Sequence, residues 1–320
     1  MRRRVTGLAI LALCAPLALA ETAERGPALP DYAAEQVAPD VHVIHGPVDY
    51  PNPENQGFMN NPAFIVTDEG VVVVDPGASV QSGEMVLRQV RQLTDKPILA
   101  VLNTHVHGDH WLGNQAMRAE QPAVPIYGHP KMIAAIEQGA GKEWEDRMLR
   151  ATDNATAGTE AVGPNNALDD GDELTLGGLT YRFHHFGQQH THTDLMIEVP
   201  EKAVLFLGDN ANNKRIVRMD DASFSGLING LQQIQTSIKA NVLIPGHGHT
   251  GGWEIVDQNL DYLNTVYGGV QELFDEGVSD FEMKPVIADR LSAFDGWAGL
   301  DDELGKHISI AYLQVEADAF

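Results

Sequence analysis

Three histidines and one aspartate fall within six residues of this chain, in the segment His105-Val-His107-Gly-Asp109-His110. The segment closely follows an apolar run, Ile98 to Leu102, that predicts a buried strand. His105 and His107 lie two residues apart, so in an extended backbone they point the same way and can share one cation. Asp109 and His110 come where a helix is expected to begin and can turn toward a second cation. Imidazole nitrogen and carboxylate oxygen favour zinc, with manganese or iron as alternatives.

A second set of polar residues follows downstream, beside later predicted strands. His190 and His192 precede the run Leu195 to Val199, Asp209 ends the next apolar run, and His247 ends another. In α/β proteins, binding and catalytic residues usually lie at the ends of strands and in the loops beside them. We therefore expect these residues to complete the metal site.

The ordered set HxHxDH, His, Gly-Asp, Gly-His resembles the metallo-β-lactamase fold superfamily of binuclear metallohydrolases. The resemblance runs from about Val41 to His249. The segment from Asn61 to Gly77, with four valines before Asp75, also resembles the paired strands and the Asp-x-Gly turn of that superfamily. The resemblance implies an α/β fold of the four-layer αββα type, with two facing sheets and the site along one edge.

Carried over by position, the resemblance implies two zinc ions per chain, with manganese or iron possible, and seven ligands. His105, His107 and His190 would hold the first ion, Asp109, His110 and His247 the second, and Asp209 would bridge both. The superfamily places an aspartate four residues after the ligand histidine, and Asp194 has this spacing from His190. This favours His190 over His192 as the ligand, and leaves His192 as a residue of the pocket or of the ligands' surroundings.

Two cations that share a water lower its pKa toward neutrality and polarise the attacked carbonyl, so no serine or cysteine nucleophile is required. Asp109 is predicted to be catalytic, because it can orient this water as well as bind a metal. Asp75 is predicted to tie down the backbone of the histidine-rich loop. Asn213, Lys214 and His249 are candidates for pocket or substrate contacts.

The residue at the bridging position bears on the reaction. Cys14 is the only cysteine and lies in the predicted leader, so a thiolate-ligated site is excluded. In the superfamily that this chain resembles, an aspartate at the bridging position is typical of glyoxalase-II-like thioesterases, lactonases and phosphodiesterases. The resemblance places Asp209 at that position. The predicted function is hydrolysis of an ester, lactone, thioester or lactam in a small molecule, similar to exported zinc hydrolases associated with quinoprotein and sulfur-oxidation systems. A periplasmic metallo-β-lactamase is the alternative, followed by a di-iron redox protein and a non-catalytic metal-binding module.

Charge and the N-terminal segment restrict the partners and the compartment. Residues 1–20 combine three arginines with an apolar stretch and end in Ala18-Leu19-Ala20, which predicts a cleavable signal peptide and a periplasmic or secreted protein. The net charge is −24, and −27 without those arginines, which excludes a nucleic-acid binder. No other stretch is long and apolar enough to cross a membrane. The predicted partner is a small-molecule substrate, and nothing in the sequence indicates an oligomeric state.

Hydrophobic periodicity predicts one large domain. Residues 21–40 are expected to lead into a metallo-β-lactamase-like domain at 41–252, with a helical extension at 253–320 packed on it. Strands are predicted at 71–74, 98–102, 124–127, 195–199, 203–207 and 242–244, and helices at 80–93, 130–138 and 224–238. The segment from Gly139 to Asp172 is predicted to be a loop over the site, with a short helix from Trp144 to Leu149.

The two neighbouring histidines generate a direct test. We expect His190→Ala to lose metal from the first site and nearly all hydrolysis, because it removes a ligand, whereas His192→Ala keeps its metal. Zinc content of the purified variants, measured by elemental analysis, checks this. The reverse result would shift the alignment of this segment by two residues.

Overall fold

Two β-sheets built from the valine- and leucine-rich runs form the centre of the computed structural model, which describes residues 25–319. The predicted signal peptide, with Cys14, lies outside these residues. The first sheet contains, side by side in chain order, β1 (Glu35–Ala38), β2 (Val41–Val43), β3 (Ala63–Val66), β4 (Val71–Val74), β5 (Ile98–Leu102), β6 (Ile126–Gly128) and β7 (Asn166–Ala167). Strands β1 to β4 pair antiparallel, and β4 to β7 pair parallel.

The second sheet contains β8 (Glu173–Leu176), β9 (Leu179–His184), β10 (Met196–Val199), β11 (Val204–Gly208) and β12 (Val242–Pro245), again adjacent in this order. Only its last pair, β11 with β12, is parallel. In the parallel pairs the strands end at the same edge, and the loops that carry the candidate ligands leave the sheets there.

The two sheets face each other across a shared core, as period-two side-chain alternation requires. In β4, Val72 and Val74 point into this core, while Val71 and Val73 point outward. In the second sheet Ile197 and Phe206 fill the same space from the other side. Because both faces of the central strands are covered, these strands read as continuous apolar runs in the sequence.

Helices cover the outer faces of both sheets. On the first sheet lie α1 (Val80–Leu93), α2 (Gly108–Trp111), α3 (Asn114–Glu120), α4 (Pro130–Ala135) and α5 (Gly141–Ala151). On the second lie α6 (Phe224–Ser237), α7 (Glu254–Asp275), α8 (Asp280–Asp289) and α9 (Leu300–Ala319). The arrangement is the predicted αββα sandwich with C-terminal helices. Between residues 25 and 319, no helix has the length and apolar character needed to span a bilayer.

Some local predictions were wrong. The predicted loop at 139–172 begins with α5, which contains the predicted short helix at 144–149 and extends it to three turns; Gly139, with a φ of 119°, forms a kink between the end of α4 and this helix. The strand predicted at 124–127 is β6, two residues later at its start. Strands β1, β2, β7, β8 and β9 were not predicted because they are short or half-exposed. Strand β1 lies before the predicted domain boundary at residue 41 and pairs with β2.

The contact between α1 and α3 generates a stability prediction. A Cβ on Gly83 of α1 would overlap the carbonyl oxygen of Gly113, the residue before α3, so we expect Gly83→Ala to destabilise the protein by about 1–3 kcal/mol. Gly268 of α7 is the matched control, since a Cβ there meets nothing within 4 Å. Gly268→Ala should be neutral or gain up to about 1 kcal/mol. Urea unfolding of both variants checks this, and equal unfolding free energies would contradict it.

Candidate metal centre

The candidate ligands meet at the edge where β5, β11 and β12 end. Residues 103–110 follow β5, Asp209 follows β11, and His247 follows β12. His190 comes from the turn before β10. The loops of the two sheets are joined here, since the Leu195 amide donates to the Thr104 carbonyl at 2.7 Å. The site is therefore built by both sheets together.

Asp75 contacts the histidine-rich loop through its carboxylate. Its carboxylate accepts from the Thr104 amide at 2.9 Å and from the Thr104 hydroxyl at 2.6 Å. It also contacts His110 Nδ1 at 2.9 Å, which leaves Nε2 of His110 facing the other candidate ligands. Asp75 is itself in the left-handed region, with φ 48°. A backbone held in this region at a buried carboxylate is typical of a functional site.

One group of ligand atoms, the three-histidine group, consists of His105, His107 and His190. His190 Nε2 lies 3.0 Å from His107 Nδ1, and the ring of His105 lies 4.9 Å from that of His107 and 5.1 Å from that of His190. His105 and His190 are buried. Three nitrogens that converge at this range leave room for one cation between them.

A second group, the mixed group, consists of Asp109, His110 and His247. His247 Nε2 lies 3.3 Å from Asp109 Oδ2, and His110 Nε2 lies 3.5 Å from the same oxygen. Asp209 lies between the groups. Its Oδ1 is 3.2 Å from His110 Nε2, and its Oδ2 is 3.1 Å from His247 Nε2 and 3.7 Å from His190 Nε2. Asp209 therefore contacts histidines of both groups, as a bridging ligand must.

Unsatisfied buried atoms indicate that the cluster fits metal ions. His105 Nε2, His110 Nε2 and Asp209 Oδ1 are buried and form no hydrogen bond among the described residues; the last two lie 3.2 Å apart without hydrogen-bond geometry. A buried polar atom without a partner is costly, and metal ions bound in the cluster would satisfy all three. No feature of this donor set conflicts with divalent ions, and the oxygen and nitrogen donors suit zinc.

The surroundings of His105, His190 and Asp209 favour the protonation states that bind metal. Burial lowers the pKa of His190 to about 3 and the pKa of His105 well below the usual range, so both imidazoles are neutral at pH 7. For Asp209, burial alone would raise the pKa, but His247 and His110 outweigh it and hold the pKa well below the usual range. Neutral imidazoles and ionised carboxylates are the forms that bind metal.

The turn before β10 separates the two neighbouring histidines. Thr191 donates its amide to Asp194 Oδ2 at 2.7 Å and its hydroxyl to Oδ1 at 2.9 Å, which closes the turn. Burial raises the pKa of Asp194 to about 8. This turn directs His190 into the cluster and leaves His192 exposed, in a neighbouring cavity that Trp144 also lines. The structure thus brings His190, and not His192, to the other candidate ligands.

Sequence reasoning missed a segment that contacts two of the three histidines. His190 Nδ1 lies 2.9 Å from the Arg218 carbonyl, and His107 Nε2 lies 3.2 Å from Asp221 Oδ2. Both imidazoles therefore donate from the nitrogen that faces away from the cluster, which orients the other nitrogen toward it. Asp220, between them, pairs with Lys306 of α9. No sequence signal identified these residues, because they follow β11 and Asp209 without a motif.

A cavity of about 150 Å³ opens directly onto the candidate ligands. Its walls combine apolar residues with arginines and acidic residues: Pro51, Met59, Trp144, Met148, Arg147, Arg215, Arg218, Asp220 and Asp221. Three predicted contact residues lie outside this lining. Asn213 donates to the His249 carbonyl at 2.8 Å, Lys214 lies over the Trp297 ring, and His249 is exposed beside His45.

Comparisons with known proteins agree with this geometry. The family model of the metallo-beta-lactamase superfamily matches residues 55–247, more than half of the chain. A linear primary-alkylsulfatase from Pseudomonas sp. is 29% identical over 173 residues, which cover 46% of this chain and 31% of the relative. A probable metallo-hydrolase from Streptococcus pyogenes serotype M6 is 30% identical over 74 residues, 23% of this chain and 30% of that protein. The chain thus spans about a third of the length of these curated relatives.

Solved structures share the fold at low sequence identity. A metallo-beta-lactamase from Pontibacter korlensis superposes with a TM-score of 0.59 at 19% identity, over 72% of this chain and 98% of that chain. A sec-alkylsulfatase from Pseudomonas sp. superposes with a TM-score of 0.66 at 18% identity, over 88% of this chain and 50% of that chain. The chain belongs to the metallo-β-lactamase superfamily, whose members are metal-dependent hydrolases.

The contact between Asp221 and His107 generates a prediction on metal affinity. We expect Asp221→Asn to lower the affinity for the most tightly bound zinc ion about 10–100-fold. A neutral amide is a weaker hydrogen-bond acceptor for the His107 imidazole than a carboxylate is. Asp169→Asn is the matched control. Asp169 is also 62% exposed and lies 3.3 Å from the buried His129, but outside the ligand cluster. Chelator competition measures the affinity, and the cobalt(II) absorption spectrum reports the ligand environment. Equal zinc affinity and spectra in both variants would show that Asp221 has no orienting role.

Proposed function

We propose that this protein is an exported binuclear zinc hydrolase that cleaves an acyl bond in a small molecule: an ester, a lactone, a thioester or a lactam. Support for two ions comes from one observation above all. The three-histidine group and the mixed group are separate sets of ligand atoms, and Asp209 contacts histidines of both, so a single ion would leave one of the groups without a cation. Export is supported by the sequence pattern of residues 1–20.

A pair of divalent ions in this donor set would supply Lewis acidity and a water deprotonated near neutral pH. The chain's own residues do the rest. Asp109 has one oxygen directed at His247 and His110 and lines the cavity, so it can accept a proton from a reacting water. Asp75 and Asp221 hold two of the histidines from outside the cluster. Met59 and Met148 keep one wall of the cavity apolar, which favours a substrate with a hydrocarbon portion.

Hydrolysis of an alkyl sulfate ester is the second candidate. It is favoured by the match to the linear primary-alkylsulfatase, which extends over 173 residues. The arginines of the cavity would suit a sulfate group. Hydrolysis rates of zinc-loaded protein with 4-nitrophenyl acetate, a homoserine lactone, a thioester, nitrocefin and a long-chain alkyl sulfate separate the candidates. Turnover of the alkyl sulfate alone would replace the acyl proposal.

The zinc stoichiometry of the wild-type protein and of an Asp209 variant tests whether the centre is binuclear. We expect the wild-type protein to bind close to two zinc equivalents and Asp209→Ala to lose the second, with hydrolysis falling about 100-fold or more, because the shared ligand is gone. Asp289→Ala, an exposed change at the end of α8, is the control and should keep both ions. Elemental analysis after zinc loading measures the stoichiometry. One equivalent in the wild-type protein would contradict the binuclear proposal.

A further inference from the structure

The backbone of His247 is hydrogen-bonded on both sides by the segment that follows β11. The His247 amide donates to Asn212 Oδ1 at 3.1 Å, and the His247 carbonyl accepts from the Asn213 amide at 3.0 Å. The same segment begins at Asp209, the candidate bridging ligand. Two candidate ligands, Asp209 and His247, therefore depend on the position of residues 209–213.

Asn259 of helix α7 binds the backbone of this segment. Its Nδ2 donates to the Asn212 carbonyl and to the Ile255 carbonyl, each at 2.8 Å, and its Oδ1 accepts from the Asn212 amide at 3.4 Å. One side chain thus binds both backbone groups of Asn212. Because a carbonyl must face an N–H and an amide N–H must face an oxygen, these partners fix the orientation of the Asn259 side chain.

Asn259, Asn212 and His247 form this chain of hydrogen bonds away from water. Asn212 and His247 are each 1% exposed, and Asn259 is 3% exposed. Removal of the Asn259 amide would therefore leave two buried backbone groups of Asn212 without a partner, which is costly. The segment would have to move to satisfy these groups, and the oxygen that accepts from the His247 amide would move with it.

Packing of α7 on the second sheet does not require an amide at position 259. Val256, Leu260 and Leu263 lie on the same face of the helix and fill the core with apolar side chains. An amide in this row gives up apolar contacts and must be hydrogen-bonded to be tolerated there. What distinguishes Asn259 from its neighbours is its contact with both backbone groups of Asn212.

We propose that Asn259 is a positioning residue of the metal centre, which acts through Asn212 to hold His247 and the segment that begins at Asp209 where zinc ions can bind. The proposal rests on the proposed function for the presence of zinc at these ligands. Helix α7 carries none of the candidate ligands. The C-terminal helical extension thus supports the centre from outside, through one buried amide.

Zinc binding to Asn259→Leu tests this role. Leucine is similar in size to asparagine but has neither a donor nor an acceptor. We expect the affinity for at least one zinc equivalent to fall about 10–100-fold in chelator competition, as is typical for residues that orient metal ligands. The visible absorption spectrum of the cobalt(II)-loaded variant should also change, because the position of His247 changes. Wild-type zinc affinity together with a wild-type cobalt spectrum would overturn the proposal.

Two other variants of α7 separate positioning from a general loss of stability. The Asn264 side chain donates to the Leu260 carbonyl at 2.7 Å and forms no other hydrogen bond among the described residues, so Asn264→Ala should keep wild-type zinc affinity. Val270→Ala removes fully buried methyl groups and should lower the free energy of unfolding without changing the cobalt(II) spectrum. The same spectral change in Val270→Ala as in Asn259→Leu would assign the effect to stability alone and refute positioning by Asn259.

Variants of Asn212 keep the test decisive if Asn259→Leu does not fold. Asn212→Ala removes the acceptor of the His247 amide, whereas Asn212→Asp keeps an oxygen at the same place. We expect Asn212→Ala to lose zinc affinity about 10–100-fold and Asn212→Asp to keep most of it. Equal zinc affinity of the two Asn212 variants would exclude this hydrogen bond as the link to His247 and contradict the proposal.

Hydrogen exchange in the metal-free protein separates failure of this proposal from failure of the proposed function. The His247 amide is bonded to Asn212 Oδ1, so in Asn259→Leu it should exchange about tenfold faster or more, measured relative to the buried amides of β11. This result is expected whether or not any substrate is hydrolysed. Asn264→Ala should keep the wild-type exchange rate. An unchanged rate in Asn259→Leu would show that α7 does not position His247, even in a protein that proves to be a zinc hydrolase.

Discussion

The carboxylate of Asp75 is the contact on which the site depends. It joins the end of β4 to the loop after β5 through both hydrogen-bonding groups of Thr104, and it orients His110 at the same time. Thr104 Oγ1 also lies 3.0 Å from His105 Nδ1. The Asp75 carboxylate and its Thr104 hydroxyl partner therefore orient two imidazoles, those of His110 and His105. A left-handed backbone at a non-glycine residue costs about 1–3 kcal/mol. The packed sheet compensates for this, since Asp75 follows the fully buried strand β4.

Metal binding and sheet packing are coupled in this architecture. The three-histidine group takes its residues from loops of both sheets, and the hydrogen bond between Thr104 and Leu195 holds those loops together. A shift of one sheet against the other would therefore separate His190 from His107. The C-terminal helices take part as well, since Lys306 of α9 anchors Asp220 beside the two residues that support these histidines.

Burial has opposite effects on the two kinds of ligand. It keeps the imidazoles of His105 and His190 neutral, whereas the carboxylate of Asp209 stays ionised only because histidines surround it. Metal ions bound beside Asp209 would keep its carboxylate ionised in place of the surrounding histidines, which could then act as ligands.

The sequence alone determined the fold class and the ligand types, because period-two apolar runs and the HxHxDH spacing are local features. Strand β4, strand β5 and helix α1 lie at their predicted residues for this reason. The tertiary structure alone decided which side chains surround the ligands. Asp221 and Arg218 are brought to the histidines by the path of the chain after β11, and no local pattern encodes that path. Helix α5, predicted mainly as a loop, lines the cavity with Trp144 and Met148 and follows a kink at Gly139 that tertiary packing accommodates.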